Sequence, residues 1–375
     1  MEVKEWSYEE YPSFDTPVDG VVRIPTSGDE KGTYIYSNVE YAHIDGTTLH
    51  LQIITPQTRN TKESDEVYPC IVYVQGSAWM KQNINAKLGL LARLSERGYV
   101  IAVVEYRHSG IAHFPAQAID TRNAIRYMKL HAKEYKADVN QMFVAGDSSG
   151  GHTAFFSQLI REDGNVNIHF EENNTDITQD INDSVSAAYN KTDNNTADNV
   201  GAAYNKIDNN MENNVGTYCK TNNNINIYLG ETADMNIYPE VDANVKGIIS
   251  LYGALSVMLE DGMPSTLNHH QPDSPEGMEM GGTDLRNNPE LCSKMSVECN
   301  ISENVLLPPV LMFHGTKDCT INPKVSVVVY EALKKYNKDV QLYMLEGADH
   351  GGSEFFSDNV LDIIEEFLQN IISAC

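Results

Sequence analysis

The 375-residue sequence predicts an α/β fold with a mostly parallel central sheet covered by helices on both faces. Three observations predict it. Short apolar runs, Cys70-Ile-Val-Tyr-Val and Tyr99-Val-Ile-Ala-Val-Val, are too short for helices and are flanked by Pro or Gly, as suits strands buried on both faces. Segments with helical spacing lie between such runs, and this alternation continues along the chain. A hairpin signature, Asp45-Gly46, opens the series.

Residues 1–33 are rich in Pro, Gly, Asp and Glu without periodicity and are expected to form an extended arm lying against another surface. The domain proper is expected over 34–375. It begins with two alternating segments, residues 34–42 and 49–55, that read as an antiparallel pair across Asp45-Gly46. Leu88 to Arg97 reads as a helix ending at Gly98. The stretch from Pro115 to about Lys136 carries Ala118, Ile125, Met128 and Ala132 at helical spacing, with Pro115 where a first turn tolerates it. A strand over 141–145 and a helix over Thr153–Ile160 follow. Further strands are expected at 245–252, 309–314 and 340–345, and helices near 323–337 and 358–373.

Two stretches interrupt this order. Residues 162–243 are dominated by Asn, Asp and Thr and hold an imperfect repeat, Ser186-Ala-Ala-Tyr-Asn-Lys against Gly201-Ala-Ala-Tyr-Asn-Lys. Such polar copies cannot bury a core, so a disordered surface insertion is expected. Residues 253–307 are a candidate cap, with Met258, Leu259, Met263, Met278, Met280 and Met295 among Pro and Gly; methionine suits an irregular ligand and an irregular core equally.

The chemistry concentrates in Gly146-Asp147-Ser148-Ser149-Gly150-Gly151, a GxSxG pattern lying directly after one expected strand and before a helix. A strand that turns at once into a helix holds its serine in a strained elbow, with small neighbours letting the backbone pass closely and Oγ projecting outward. Ser148 is therefore the candidate nucleophile. It needs a base and an acid, expected further along in the order acid then histidine. His350 lies in a Gly-rich loop after the last strand and Asp318 just after the preceding one, so these are the candidate base and acid. Weaker alternatives are His314, at a strand tip, His152, inside the helix after the elbow, and Asp349, beside His350; Glu260 and Asp261 are reserve acids. His269-His270 lacks thiolate or carboxylate spacing and reads as surface loop, so no metal site is expected. Charge developing on a substrate carbonyl oxygen needs backbone N–H donors, for which Ser149 and the loop residues Gly76, Ser77 and Ala78, within Gln75-Gly76-Ser77-Ala78-Trp79, are the candidates.

Composition narrows the partners. With 27 basic against 53 acidic residues the formal charge is -26, which repels phosphate backbones and anionic membranes, so a nucleic-acid or membrane partner is not expected. No stretch approaches a membrane span or a signal peptide, and the expectation is a cytoplasmic protein. The 6 cysteines form no CxxC pair and read as free thiols. A small-molecule ester is the expected partner, with no cofactor; oligomeric state is not legible.

The combined pattern resembles the hormone-sensitive-lipase-like and feruloyl-esterase-like (BD-FAE) branch of the α/β hydrolases over residues 34–160 and 244–375. Gly146 to Gly151 is similar to that branch's GDSAGG elbow with Ser149 in place of Ala, and Gln75 to Trp79 is similar to its HGGGW loop with departures at Gln75, Ser77 and Ala78. Glu105-Tyr106-Arg107, Phe114-Pro115-Ala116 and Asp120 also resemble it, as scaffold. The resemblance implies an α/β-hydrolase fold and a carboxylesterase-type serine hydrolase for short-chain acyl, sugar-acetate or feruloyl esters. A peptidase or amidase with the same machinery, or a non-catalytic binding protein on this scaffold, are the rival expectations.

Overall fold

In the computed structural model, which describes residues 3–57, 66–160, 236–258 and 264–374, a hairpin leads into the sheet. β1 (Gly32–Ile44) and β2 (Thr47–Gln57) pair antiparallel. Asp45 and Gly46 between them both have positive φ, 51° and 75°, the backbone of the tight turn that matches strand twist. Then follow β3 (Tyr68–Val74), α1 (Leu88–Glu96), β4 (Val100–Val104), α2 (Ala116–Leu130), β5 (Ala137–Asp147), α3 (Ser149–Leu159) and β6 (Ile248–Leu251). Two short helices, α4 (Pro275–Glu279) and α5 (Pro289–Met295), precede β7 (Val310–Gly315), α6 (Lys324–Lys335), β8 (Val340–Leu345) and α7 (Asp358–Ala374).

The 8-stranded sheet runs β1-β2-β4-β3-β5-β6-β7-β8. β2 meets β4 antiparallel, and every pairing from β4 to β8 is parallel. The order steps outward from β3 to β4 and then crosses back to β5, so the carboxyl ends of β3 and β5 flank the place where the winding reverses. Loops leaving the sheet there diverge and open a crevice.

The apolar runs are two-faced strands. Cys70, Val72 and Val74 of β3 face one core with Ile125 and Met128 of α2, Phe155 of α3 and Leu333 of α6. Ile71 and Tyr73 face the other, with Leu91 of α1 and Leu361, Ile364 and Phe367 of α7. Each such side chain contributes roughly 1.5–3 kcal/mol of gross burial free energy, which is what holds helices to both faces.

Boundaries move where local chemistry overrides periodicity. α2 stops at Leu130 instead of about 136: residues 131–136 form turns, Lys136 has φ 55°, and Ala137 N–H returns to Ala132 O at 2.8 Å. α3 starts at Ser149, ahead of Thr153, so Gly150 and Gly151 lie in its first turn. Along residues 3–31 there is no helix or strand, and Trp6 and Phe14 are exposed. The repeat and most of the 162–243 insertion fall outside the described residues, as do Glu260 and Asp261. Of the candidate cap, Met295 is buried in the core, Met280 packs against that core, and Met263 is outside the described residues. Cys70, Cys292, Cys299 and Cys319 are free thiols. Among the described residues no helix is long and apolar enough to cross a membrane.

Candidate active site

β5 ends at Asp147, and Ser148 breaks into α3 with φ 52° and ψ -126°. A non-glycine residue holds such a conformation only where its surroundings impose it. Here they do. Ser148 N–H donates to Leu251 O at 3.0 Å, and Ser148 O accepts from Gly151 and Ala254 N–H at 3.0 and 3.1 Å. Close backbone passage explains the glycines: a Cβ on Gly146 would lie 2.2 Å from Gly150 O, and one on Gly150 would lie 2.0 Å from Val74 O.

His350, in the loop after β8, brings Nε2 to 2.8 Å from Ser148 Oγ, and its Nδ1 lies 2.7 Å from Asp318 Oδ2. A carboxylate only accepts, so Nδ1 carries the proton and the Nε2 lone pair faces the Ser148 hydroxyl. The three sequence candidates, from loops after β5, β7 and β8, thus stand in one hydrogen-bonded line.

Asp318 has further donors. Oδ1 accepts from Thr320 and Ile321 N–H at 2.9 and 2.8 Å, and Oδ2 also takes His314 Nε2 at 3.0 Å. The same His314 nitrogen meets Ile321 O at 3.0 Å, a second acceptor, so it is protonated; its Nδ1 then accepts from Ser326 Oγ at 2.6 Å. Burial alone would raise the Asp318 carboxyl, but hydrogen bonds from His314 and His350 outweigh it and hold the group below the usual carboxylate range. Asp318 therefore stays ionised beside His350.

Asp147, the residue before Ser148, is buried and surrounded by donors: Tyr73 OH at 2.6 Å, Gly76 N–H at 3.2 Å, Tyr252 OH at 3.1 Å, and Lys87 Nζ as an ion pair. Lys87 also reaches Tyr252 OH at 2.9 Å, and the Tyr252 ring stands edge-on to His350 with centroids 4.9 Å apart. These contacts tie the elbow, the loop after β3 and the wall beside His350 into one unit. Burial and then Asp147 push the Tyr73 and Tyr252 phenols up, so both remain donors.

The loop after β3 closes over the elbow. A Cβ on Gly76 would sit 2.4 Å from Asp147 O and 2.8 Å from Ser148 Cβ, so only glycine fits. Ala78 and Trp79 have φ 56° and 55°. Ser77 and Trp79 N–H both donate to Ser149 Oγ, at 3.0 and 3.2 Å. The Ser149 N–H itself opens α3, where a helix leaves its first N–H groups without intrahelical partners.

The remaining candidates go elsewhere. His152 Nε2 bonds Met295 O at 2.8 Å inside an aromatic cluster with Trp79, Phe114 and Phe156, and burial lowers its pKa to about 4. Asp349 accepts from the N–H groups of Cys319 and His350 at 3.0 and 2.7 Å. The His269-His270 pair is not the surface loop expected: His270 is buried with Nε2 2.7 Å from Val257 O, and His269 Nδ1 lies 2.8 Å from the buried Glu276. Sequence reasoning missed His314 as a donor to Asp318, the donors around Asp147 and the side chain of Ser149; only the Ser-for-Ala departure signalled the last.

Residues 51–233 and 202–333 match the BD-FAE family model, more than half of the sequence. The chain belongs to the BD-FAE family. Among curated proteins, this BD-FAE chain is 30% identical over 110 residues to the probable carboxylic ester hydrolase LipM of Mycobacterium tuberculosis, covering 29% of this chain and 26% of that protein. It is 23% identical over 318 residues to the probable isoprenylcysteine alpha-carbonyl methylesterase ICMEL1 of Arabidopsis thaliana, covering 84% of this chain and 51% of the relative. The matched region thus spans between about a quarter and a half of these relatives' lengths. A truncated carbohydrate esterase from gut microbiota superposes with a TM-score of 0.63 at 18% identity, covering 92% of this chain and 98% of that one. An acetyl ester-xyloside bifunctional hydrolase from Caldicellulosiruptor lactoaceticus does so at 0.54 and 18%, covering 87% and 89%. These likenesses show the α/β-hydrolase fold.

Proposed function

We propose that this BD-FAE chain is a serine carboxylic ester hydrolase working through an acyl-enzyme. The observation that carries the reading is the line Ser148 Oγ, His350 Nε2, His350 Nδ1, Asp318 Oδ2, with contacts of 2.8 and 2.7 Å and the proton order a nucleophile, base and acid require. Ser148 Oγ attacks the ester carbonyl while its proton passes to His350 Nε2. The imidazolium is stabilised by ionised Asp318 and then protonates the leaving alkoxide, releasing the alcohol. Water, deprotonated by His350 Nε2, attacks the acyl carbonyl; the imidazolium returns that proton to Ser148 Oγ as the acyl–oxygen bond breaks and the carboxylic acid leaves. The oxyanion is met by Ser149 N–H and an N–H of the loop after β3.

The curated relatives' names support carboxylic esters over amides as substrates. The family resemblance supports short-chain acyl, sugar-acetate or feruloyl-type esters. No step needs a metal or cofactor.

Hydrolysis of p-nitrophenyl acetate and butyrate by wild type and Ser148→Ala tests the reading. The wild type should turn over both, and Ser148→Ala should lose about a million-fold in kcat, the scale seen when a triad serine is removed. Equal rates from the two proteins would overturn it, and a peptide nitroanilide outpacing both esters would shift it to an amidase.

A further inference from the structure

We infer that the Ser149 hydroxyl is a positioning group for the oxyanion: it clamps the loop after β3 so that the Ala78 N–H is the loop's donor to the substrate oxygen. This rests on the ester-hydrolase reading above.

Three of the four N–H groups from Gly76 to Trp79 already have acceptors. Gly76 N–H is taken by Asp147 Oδ1 at 3.2 Å. Ser77 and Trp79 N–H are taken by Ser149 Oγ at 3.0 and 3.2 Å. No hydrogen bond joins Ala78 N–H to another described residue, and it lies between the two clamped groups. An N–H offered to an oxyanion has to be free in the resting site and fixed in place beforehand.

The hydroxyl protons close the network. Ser77 Oγ gives its proton to Met80 O at 2.5 Å, so its 2.9 Å contact with Tyr106 OH has the tyrosine as donor. Burial pushes the Tyr106 phenol up, so it stays protonated and keeps this donor role. Ser149 accepts two N–H groups, Tyr106 donates to Ser77, and Ser77 donates to the loop's own carbonyl.

The clamp matters because the loop is strained. Ala78 and Trp79 sit side by side at φ 56° and 55°, a region that favours glycine. The HGGGW pattern that this loop resembles has Gly at position 78 and is accompanied by Ala at position 149. This chain has the reverse combination, Ala78 with Ser149. The hydroxyl at 149 supplies the two hydrogen bonds that hold a conformation alanine would otherwise leave.

The test compares kcat and KM for p-nitrophenyl acetate, and the Ki of an alkyl trifluoromethyl ketone, across wild type, Ser149→Ala, Ala78→Gly and the double variant. Ser149→Ala should lower kcat about 10-fold or more, short of the ~100- to 1000-fold seen when an oxyanion donor is deleted outright. KM should stay within about 2-fold, and Ki should rise in step with the fall in kcat/KM, because the hemiketal that Ser148 Oγ forms with the ketone, its proton passing to His350, carries an oxyanion that uses the same donors. Ala78→Gly added to Ser149→Ala should recover most of the loss, since glycine holds a positive φ without the clamp. A Ser149→Ala enzyme within about 2-fold of wild type, or a double variant as slow as Ser149→Ala, overturns the inference. Should Ser149→Ala fail to fold, Tyr106→Phe decides, with a loss of about 3-fold expected, the scale of one neutral hydrogen bond, and an unchanged kcat against it. Activity in wild type that is absent in Ser148→Ala but intact in Ser149→Ala would remove the clamp alone. Equal rates in wild type and Ser148→Ala would remove the ester-hydrolase reading itself.

Discussion

His350 Nδ1 lies 2.7 Å from Asp318 Oδ2, and the same carboxylate oxygen also receives His314 Nε2 at 3.0 Å. One acid is thus held by two imidazoles and two backbone N–H groups, which fixes its orientation and keeps it ionised. Asp318→Asn would turn an N–H2 group towards His350, forcing Nδ1 to accept and placing the ring proton on Nε2, where it faces Ser148 uselessly. We expect kcat for p-nitrophenyl acetate to fall by about 100- to 10000-fold with folding intact, the range of wrong-tautomer variants in serine hydrolases. A fall below about 10-fold would show that Asp318 does not orient the base.

Gly76 admits no side chain, because an added Cβ would lie 2.4 Å from Asp147 O and 2.8 Å from Ser148 Cβ. Gly76→Ala must push the elbow and the loop apart, and both rigid backbones resist. The expected result is a loss of kcat of about 100-fold, since displacements near 1 Å have effects of that size. Thermal melts and steady-state rates measured together check it; retention of wild-type kcat would mean the loop can retreat freely.

Arg107 and Asp120 form a fully buried pair, with contacts of 2.8 to 3.1 Å, and Arg107 Nη1 reaches Asp45 Oδ2 of the β1–β2 turn at 2.8 Å. The pair ties the hairpin turn and the chain leaving β4 to α2. Asp120→Asn leaves a buried guanidinium short of its charge partner, at a cost of about 3–5 kcal/mol. Urea unfolding should show the midpoint fall with little change in slope; a loss under about 1 kcal/mol would contradict this.

His152 is buried and neutral, with burial lowering its pKa from 6.5 to about 4. The unfolded chain binds a proton near pH 6.5 while the folded one does not until about 4, so this residue's contribution is present above 6.5 and is lost as pH falls towards 4. Between pH 8 and pH 5 that amounts to about 2 kcal/mol, at about 1.4 kcal/mol per unit. His152→Phe should reduce the acid dependence of unfolding free energy by about this much; an unchanged slope would mean that His152 titrates normally.

The sheet was legible because its evidence is local. Val100 to Val104 is apolar at every position, which only a strand covered on both faces tolerates, and Asp45-Gly46 carries its turn geometry in two residue types. Helix ends were less legible. Ala132 continues the helical spacing of α2 yet packs from a turn, and Gly150-Gly151 reads as loop but lies inside α3, because the left-handed Ser148 and the nearby Val74 backbone dictate the path.

By itself the sequence determined the alternating α/β order and the candidates Ser148, Asp318 and His350, because strand burial, elbow geometry and chain order each leave a local mark. The side-chain partners were decided only by tertiary structure. Ser149 Oγ holds loop residues 70 and 72 positions away, Asp147 collects Tyr73, Lys87 and Tyr252, and His314 turns to Asp318. Hydrogen-bond partners depend on which strand ends the sheet order brings together, and no spacing along the chain encodes that.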